Sequence, residues 1–379
     1  MYKLPGICTF YWAIALVENP FYTIKLSFNV SGSKAGKILS TAWLFKLSCH
    51  RVLGRSKELL DALIPSKIAW IKTFYGEARD LIPNRRYAYG AIYLVYGIWE
   101  SSRGLGISYM DVELSDWLMF QHYDREVGGN VIRVLEDGST LVTTYSYDGS
   151  KDRVLVEAKP NKGYKELLKH VVNSKEKYMP RVVVRGYNVR DGELHVSGEI
   201  HVVIDYSFYL KHAMRYEGPK GSLIGGVDVN TDRINLAVID EKGNLRDCKT
   251  FWFSKTTARG YPRRRAWSVI GMKIHEMLRY AYNHGVAIIA LENPEVLGYL
   301  KLTWIRSGDR KHENYNYKIS VFRSSVIERI AVKAPLYGLS TKFVEPMGTT
   351  SSREHGEVMK RYGLDRHAAS AYIIALRSI

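Results

Sequence analysis

The chain has 379 residues, 46% of them hydrophobic, which is material for a sizeable core and for two or three domains. Its 55 Lys and Arg against 38 Asp and Glu leave a charge of +17, which points to a polyanionic partner, nucleic acid first. Three cysteines, Cys8, Cys49 and Cys248, stand far apart with no C-x-x-C pair, which excludes a disulfide framework and implies a reducing compartment.

Behind Lys3, the apolar run Ile7 to Val17 lacks a small-residue cleavage site and is too short to cross a bilayer as a helix. It reads as a packed segment of a cytoplasmic protein with no membrane partner. Gln121 is the chain's single glutamine, a scarcity that hints at a prokaryotic source living hot. Thr23 to Val30 alternates apolar and polar residues and predicts a strand, closed by Ser31-Gly32-Ser33. Apolar stripes through Ala42, Leu44, Phe45 and Leu47, and through Leu59, Leu60 and Leu63, predict two amphipathic helices; Ile68 to Leu81 and Tyr87 to Trp99 predict two more. Residues 37–102 thus read as a helical bundle. Its basic residues, among them Arg51, Arg55, Arg85 and Arg86, interleave with Trp70, Tyr75, Tyr87 and Tyr89. That mixture suits a phosphate backbone with stacking surfaces, although the aromatics serve equally as core.

Short alternating runs follow: Tyr109 to Leu114, Asn130 to Leu135, Thr140 to Tyr145, Arg153 to Ala158, Arg181 to Val184 and His195 to Val203. One helix, Tyr164 to Ser174, interrupts them. Thr23 to Val30 has no other sheet to join, so the bundle reads as an insertion into a β-barrel formed by 1–36 and 103–221.

The remaining residues, 222–379, open on the apolar strand Leu223 to Val229, which carries Asp228 where an unpartnered carboxylate is costly. Ile234, Leu236 and Val238 mark a second strand, and Arg246 to Phe253 a third. Lys255, Arg259, Arg263, Arg264 and Arg265 gather at the entrance of a helix whose apolar stripe is Ile270, Ile274, Met277, Leu278 and Ala281. Positive charge opposes the helix dipole there, so a phosphodiester backbone is the economical explanation and a solvated loop the plain one. Val286 to Leu291 is a continuous apolar run, as in a covered parallel strand, and ends on Glu292. Leu297 to Tyr317 reads as a polar, basic, mobile loop, Val321 to Tyr337 as a helix and Thr341 to Glu345 as a strand. An alanine-rich helix begins near Gly363 with Asp365 in its first turn.

Acid on a first strand, acid at the end of a fourth and acid on the last helix is the order in which an RNase H-like nuclease places its metal ligands. Three such carboxylates repel one another unless hard cations, Mg²⁺ or Mn²⁺, neutralise them. Gly226-Val227-Asp228, Leu291-Glu292-Asn293 and Asp365-Arg366-His367-Ala368-Ala369 resemble the three nuclease motifs of the RuvC domain of the TnpB family, transposon-encoded relatives of type V CRISPR effectors and of Fanzor proteins. In 1–221 the resemblance is architectural, to a wedge barrel interrupted by a recognition bundle. It implies a multidomain α+β and α/β fold: an N-terminal β-barrel with an inserted helical bundle, followed by an RNase H-like domain. The implied activity is that of an RNA-guided, metal-dependent DNA endonuclease associated with a transposable element. Asp228, Glu292 and Asp365 would be its metal ligands and catalytic residues, and a guide RNA and a double- and single-stranded DNA target its partners.

Two family positions differ, Asn230 in place of a glycine and His367 in place of an asparagine. A third departure is larger. Many relatives carry a four-cysteine zinc ribbon where this chain keeps Thr349-Thr350-Ser351-Ser352 but no following cysteine, so no zinc is expected. A nuclease-inactive, guide-dependent repressor is the alternative, which the intact acids oppose. A structure-specific resolvase leaves 1–221 unexplained, and a kinase or ATPase of the ASKHA type needs a late glycine-rich phosphate loop that is missing.

Overall fold

The computed structural model describes residues 21–62, 65–104, 108–123, 126–127, 129–174, 176–214, 216–258, 260–294, 310–345 and 352–379. Ile7 to Val17, Arg259, Thr349 to Ser351 and the part of the expected loop at 297–309 lie outside them. The described residues divide into two units, Phe21–His212 and Ala213–Ile379.

In the first unit, β1 (Phe21–Ser31) buries Ile24, Leu26 and Phe28 on alternate positions, and α1 (Gly32–Glu58) follows at once. α1 contains the first expected helix and runs for 27 residues; the second, expected through Leu59, Leu60 and Leu63, is a short 3₁₀ turn at Leu60–Ala62, with Leu63 outside the described residues. The buried stripe continues through Val52, Leu53 and Ser56, and Gly54 sits on the outer side with nothing near it, so no break falls there. Then come α2 (Lys67–Arg79) and α3 (Arg85–Gly104); the Asn84 side chain accepts from the backbone N–H groups of Arg86 and Tyr87 at the start of α3.

The strands after the bundle are β2 (Leu118–Gln121), β3 (Glu126–Val127), β4 (Ile132–Val134), β5 (Thr140–Tyr145), β6 (Lys151–Val156) and β7 (Lys159–Pro160). α4 (Lys165–Asn173), the long hairpin β8 (Lys177–Arg190) and β9 (Glu193–Asp205), and α5 (Tyr206–Ala213) complete the series. They pair into a six-stranded sheet of order β2-β8-β9-β1-β7, with β3 on β8, and a separate three-stranded sheet β4-β5-β6. No ring of hydrogen-bonded strands closes among the described residues, so the expected barrel is here two sheets. Helices and strands share one hydrophobic core, into which Trp70, Phe45 and Tyr87 are fully buried. The expected strand at Tyr109 to Leu114 is instead a 3₁₀ turn, Tyr109–Asp111. Lys57 Nζ donates to the carbonyls of Met110 and Val112, satisfying groups that a sheet partner would otherwise take.

The second unit is built on a five-stranded sheet: β10 (Leu223–Val229), β11 (Arg233–Ile239), β12 (Leu245–Trp252), β13 (Val286–Glu292) and β14 (Ser340–Val344). Their spatial order is β12-β11-β10-β13-β14, with β10, β11 and β12 antiparallel and β13 and β14 parallel to β10. This is the RNase H-like arrangement. α6 (Arg263–Asn283) buries the expected stripe from Ile270 to Ala281. α7 (Arg310–Lys333) begins at Arg310 rather than Val321, so the C-terminal end of the expected loop is helical. α8 (Arg353–Tyr362), not anticipated, leads into the closing helix α9 (Arg366–Leu376), whose residues Ala368 to Ala375 are all buried.

α9 lies directly on β10 at Gly226. A Cβ added there would stand 2.0 Å from the carbonyl oxygen of Ala371 and 2.4 Å from the backbone nitrogen of Ala375. Only glycine permits this approach. Ile224, Ala237 and Ala290 share the apolar layer under α9.

Candidate active site

Side chains alternate along a strand, so Asp228 lies in step with Ile224 and Gly226, and Glu292 in step with Ala290. Both acids therefore belong to the α9 face of the sheet, at the ends of adjacent strands. The Asp228 side chain is 2% exposed and that of Glu292 is 4% exposed. Burial of two carboxylates demands compensation. It comes from Arg323 on α7, whose Nη2 is 3.1 Å from Glu292 Oε2 and 3.5 Å from Asp228 Oδ1.

The other Asp228 oxygen, Oδ2, accepts from Asn230 Nδ2 at 2.7 Å and lies 3.3 Å from His367 Nδ1. Asn230 Nδ2 is also 3.0 Å from His367 Nδ1, so the amide can donate to both while the imidazole nitrogen accepts. Asn230 and His367, the two positions that differ from the motifs the chain resembles, are thus in contact with each other and with the first acid.

Asp365 caps α9. Its Oδ1 accepts from the backbone N–H groups of His367 at 3.0 Å and Ala368 at 2.7 Å, a favourable place for a carboxylate at a helix N-terminus. Asp365 is exposed, while Asp228 and Glu292 are buried. Among the described residues no group of three or more His, Cys, Asp or Glu side chains is close enough to hold a metal ion. The structure thus brings Asp228 and Glu292 onto one arginine but does not group Asp365 with them; Asp365 bonds to the backbone of His367, whose side chain reaches Asp228. On β12, burial pushes the Cys248 thiol up to about 11, with the carboxylates of Asp365 and Asp247 adding to the effect.

Asn235 pairs with Asp228 across β10 and β11 and is fully buried; its Oδ1 accepts from Thr250 Oγ1 at 2.7 Å, while its Nδ2 has no hydrogen-bond partner. Of the basic residues marked out in the sequence, Lys255 is exposed on the 3₁₀ turn Ser254–Thr257, and Arg263, Arg264 and Arg265 are exposed at the start of α6. In the first unit Arg51 and Arg85 are exposed, Arg86 is half-buried and Arg55 is ion-paired with Glu58 at 2.5 Å. Asp232, in the turn between β10 and β11, pairs with Arg233 at 3.0 Å. His355 is buried, with Nε2 2.8 Å from the Arg366 carbonyl and 3.3 Å from Ser370 Oγ. It ties α8 to α9. Sequence reasoning missed Arg323 altogether.

An RNase H-like sheet presenting two buried acids beside the capped start of its last helix defines the class of this unit. Two proteins of the thermophilic archaeon Aeropyrum pernix are each 50% identical to the chain. One matches over 98% of this chain and 88% of its own length, the other over 95% and 96%. The chain belongs to the family of these two proteins, both of which are described only as uncharacterized. No protein-family profile matches it. Among solved structures, that of Cas12f1, determined by cryo-EM in a complex with sgRNA and target DNA, matches 90% of this chain and 82% of its own, with a TM-score of 0.54 at 12% identity. That likeness is one of fold. No helix among the described residues is long and apolar enough to cross a membrane.

Proposed function

We propose that the protein is an RNA-guided, metal-dependent DNA endonuclease associated with a transposable element, in which Asp228, Glu292 and Asp365 act as one site. The observation that carries this reading is the pair Asp228 and Glu292, buried side by side at the ends of β10 and β13 and held by a single guanidinium. Two carboxylates gathered at the ends of adjacent strands repel each other, and a bound cation would relieve that repulsion. Hard carboxylate oxygens in that state fit Mg²⁺ or Mn²⁺ and not a thiol-seeking metal. Asp228 and Glu292 would hold the ion, with Asp365 as the third ligand. Bound there, it would neutralise charge and lower the pKa of a water for in-line phosphodiester hydrolysis. Asn230, itself bonded to His367, fixes the Asp228 carboxylate, and Lys255 and Arg263 to Arg265 supply positive charge for the strand's phosphates. Guide RNA and DNA as partners rest on the nuclease motifs, the fold likeness to Cas12f1 and the charge of +17.

A second reading is favoured by Arg323: an arginine seated between the two acids can neutralise them permanently, giving a guide-dependent DNA-binding repressor without nuclease activity. Sequencing the RNA that copurifies with the protein, then offering DNA matched to it with Mg²⁺, separates the cases. The nuclease reading expects one discrete RNA species and cleavage of matched DNA only. Guided binding without cleavage would establish the repressor, and cleavage by RNA-free protein would remove the guide from the account.

A further inference from the structure

Trp252 ends the edge strand β12 with half its surface in solvent, 50% exposed. An exposed indole on a sheet edge invites association and is usually blunted or used. Arg233 on β11, its partner in register, lies over one face of the ring with the guanidinium carbon 4.1 Å from the ring centroid. The same residue closes the β10–β11 turn, where the Asn230 backbone N–H donates to the Arg233 carbonyl at 2.9 Å. Directly opposite residues of antiparallel strands share a face, so Asn230, Arg233 and Trp252 form one row across the sheet on the side of Asp228 and Asn235. Adjacent strands are about 4.8 Å apart, which puts Trp252 about 10 Å from the Asn230 backbone. Arg233, paired with Asp232 at 3.0 Å, lies on one side of it, and exposed Lys255 stands three residues on.

We propose that Trp252 and Arg233 form a stacking subsite for one unpaired nucleobase of the DNA strand being cut, next to the nucleotide at Asp228. This rests on the nuclease reading of the acids and adds the residues that set the strand's course. The indole supplies a π-face that accepts any base, Arg233 holds the ring in place, and Lys255 supplies charge for the adjoining phosphate. A duplex hides its base faces within the stack, so the subsite selects a strand already opened.

The test uses the full chain in EDTA, where binding is read without cleavage, with a short single-stranded DNA oligonucleotide and one of equal length lacking bases. Trp252→Ala should weaken binding of the base-bearing DNA about fivefold to a hundredfold, the range for losing one base–aromatic stack. Trp252→Phe should recover most of it, and neither variant should change affinity for the abasic strand. Equal losses on both oligonucleotides, or no loss on either, would overturn the subsite. A loss seen on an RNA oligonucleotide and absent on DNA would overturn its assignment to the DNA strand. Because the Asp228→Asn protein should show the same Trp252 dependence, a failure of the nuclease reading leaves this result interpretable on its own.

Discussion

Arg323 Nη2 stands 3.1 Å from Glu292 Oε2, close enough to hydrogen-bond an acid that the sheet itself buries. Asp228 shares the same guanidinium, so one side chain of α7 neutralises both carboxylates of the candidate site. Removing it takes an ion-pair partner from both buried carboxylates, at a cost of about 3 kcal/mol. In EDTA, Arg323→Gln should therefore melt well below the wild type, and Mg²⁺ should narrow the gap, because ion and arginine serve the same oxygens. Thermal melts with and without Mg²⁺ check this. A variant melting with the wild type under both conditions would mean that Arg323 does not compensate the acids.

Gly226 is the second sensitive position. In Gly226→Ala the new methyl meets the backbone of α9 and not a movable side chain, so the helix must shift. Overpacking of this kind costs about 1–3 kcal/mol, to be read as a lower urea midpoint with an unchanged slope. The displaced helix carries Asp365 and His367, so cleavage should fall by more than the fraction unfolded accounts for.

Salt should act strongly on nucleic-acid binding. Each phosphate neutralised by Lys or Arg contributes about 0.9 to the slope of log affinity against log salt on duplex DNA. Replacing Arg263, Arg264 and Arg265 by alanine should lower that slope by up to about 3 and leave the melting temperature unchanged. An unaltered slope would take these residues off the path of the nucleic acid.

The first unit carries an acid-sensitive bond network. Burial alone would raise the Glu199 carboxyl, but bonds from His201 Nε2 at 2.8 Å and Arg185 Nη2 at 2.7 Å outweigh it and hold the group at about 2, from an ordinary 4.5. A lowered carboxyl stabilises the fold above its unfolded pKa, and the contribution disappears as pH falls from 4.5 toward 2. Burial lowers His201, whose contribution likewise begins to fall below its ordinary 6.5. Urea midpoints measured between pH 5 and pH 2.5 should drop less steeply in Glu199→Gln than in the wild type. Equal slopes would show that Glu199 is not the group being protonated.

Much of the second unit could be read directly. Leu223 to Val229 was expected at its observed bounds because a polar turn closes each end, and Asp228 stood out because a carboxylate inside an apolar strand needs a partner. The identity of that partner could not be read. Arg323 lies on a helix whose rotation relative to the sheet is set by tertiary packing, and a lone arginine in a helix reads as part of a solvated face. Asn230 and His367 were visible only as departures from a motif; their contact spans the chain from β10 to α9. In the first unit, the four buried residues of β2, Leu118–Gln121, gave no alternation to detect. The strands expected as a barrel were mostly present, but periodicity does not say which edges meet, and they pair into two sheets.

The central claim is that Asp228, Glu292 and Asp365 together hydrolyse phosphodiesters with a divalent cation. The most direct measurement is DNA cleavage by the purified protein with its copurified nucleic acid, with and without Mg²⁺, for the wild type and for Asp228→Asn, Glu292→Gln and Asp365→Asn. The account predicts Mg²⁺-dependent cleavage by the wild type and its loss in each variant, with DNA binding largely retained. Cleavage by Asp228→Asn at the wild-type rate would contradict it.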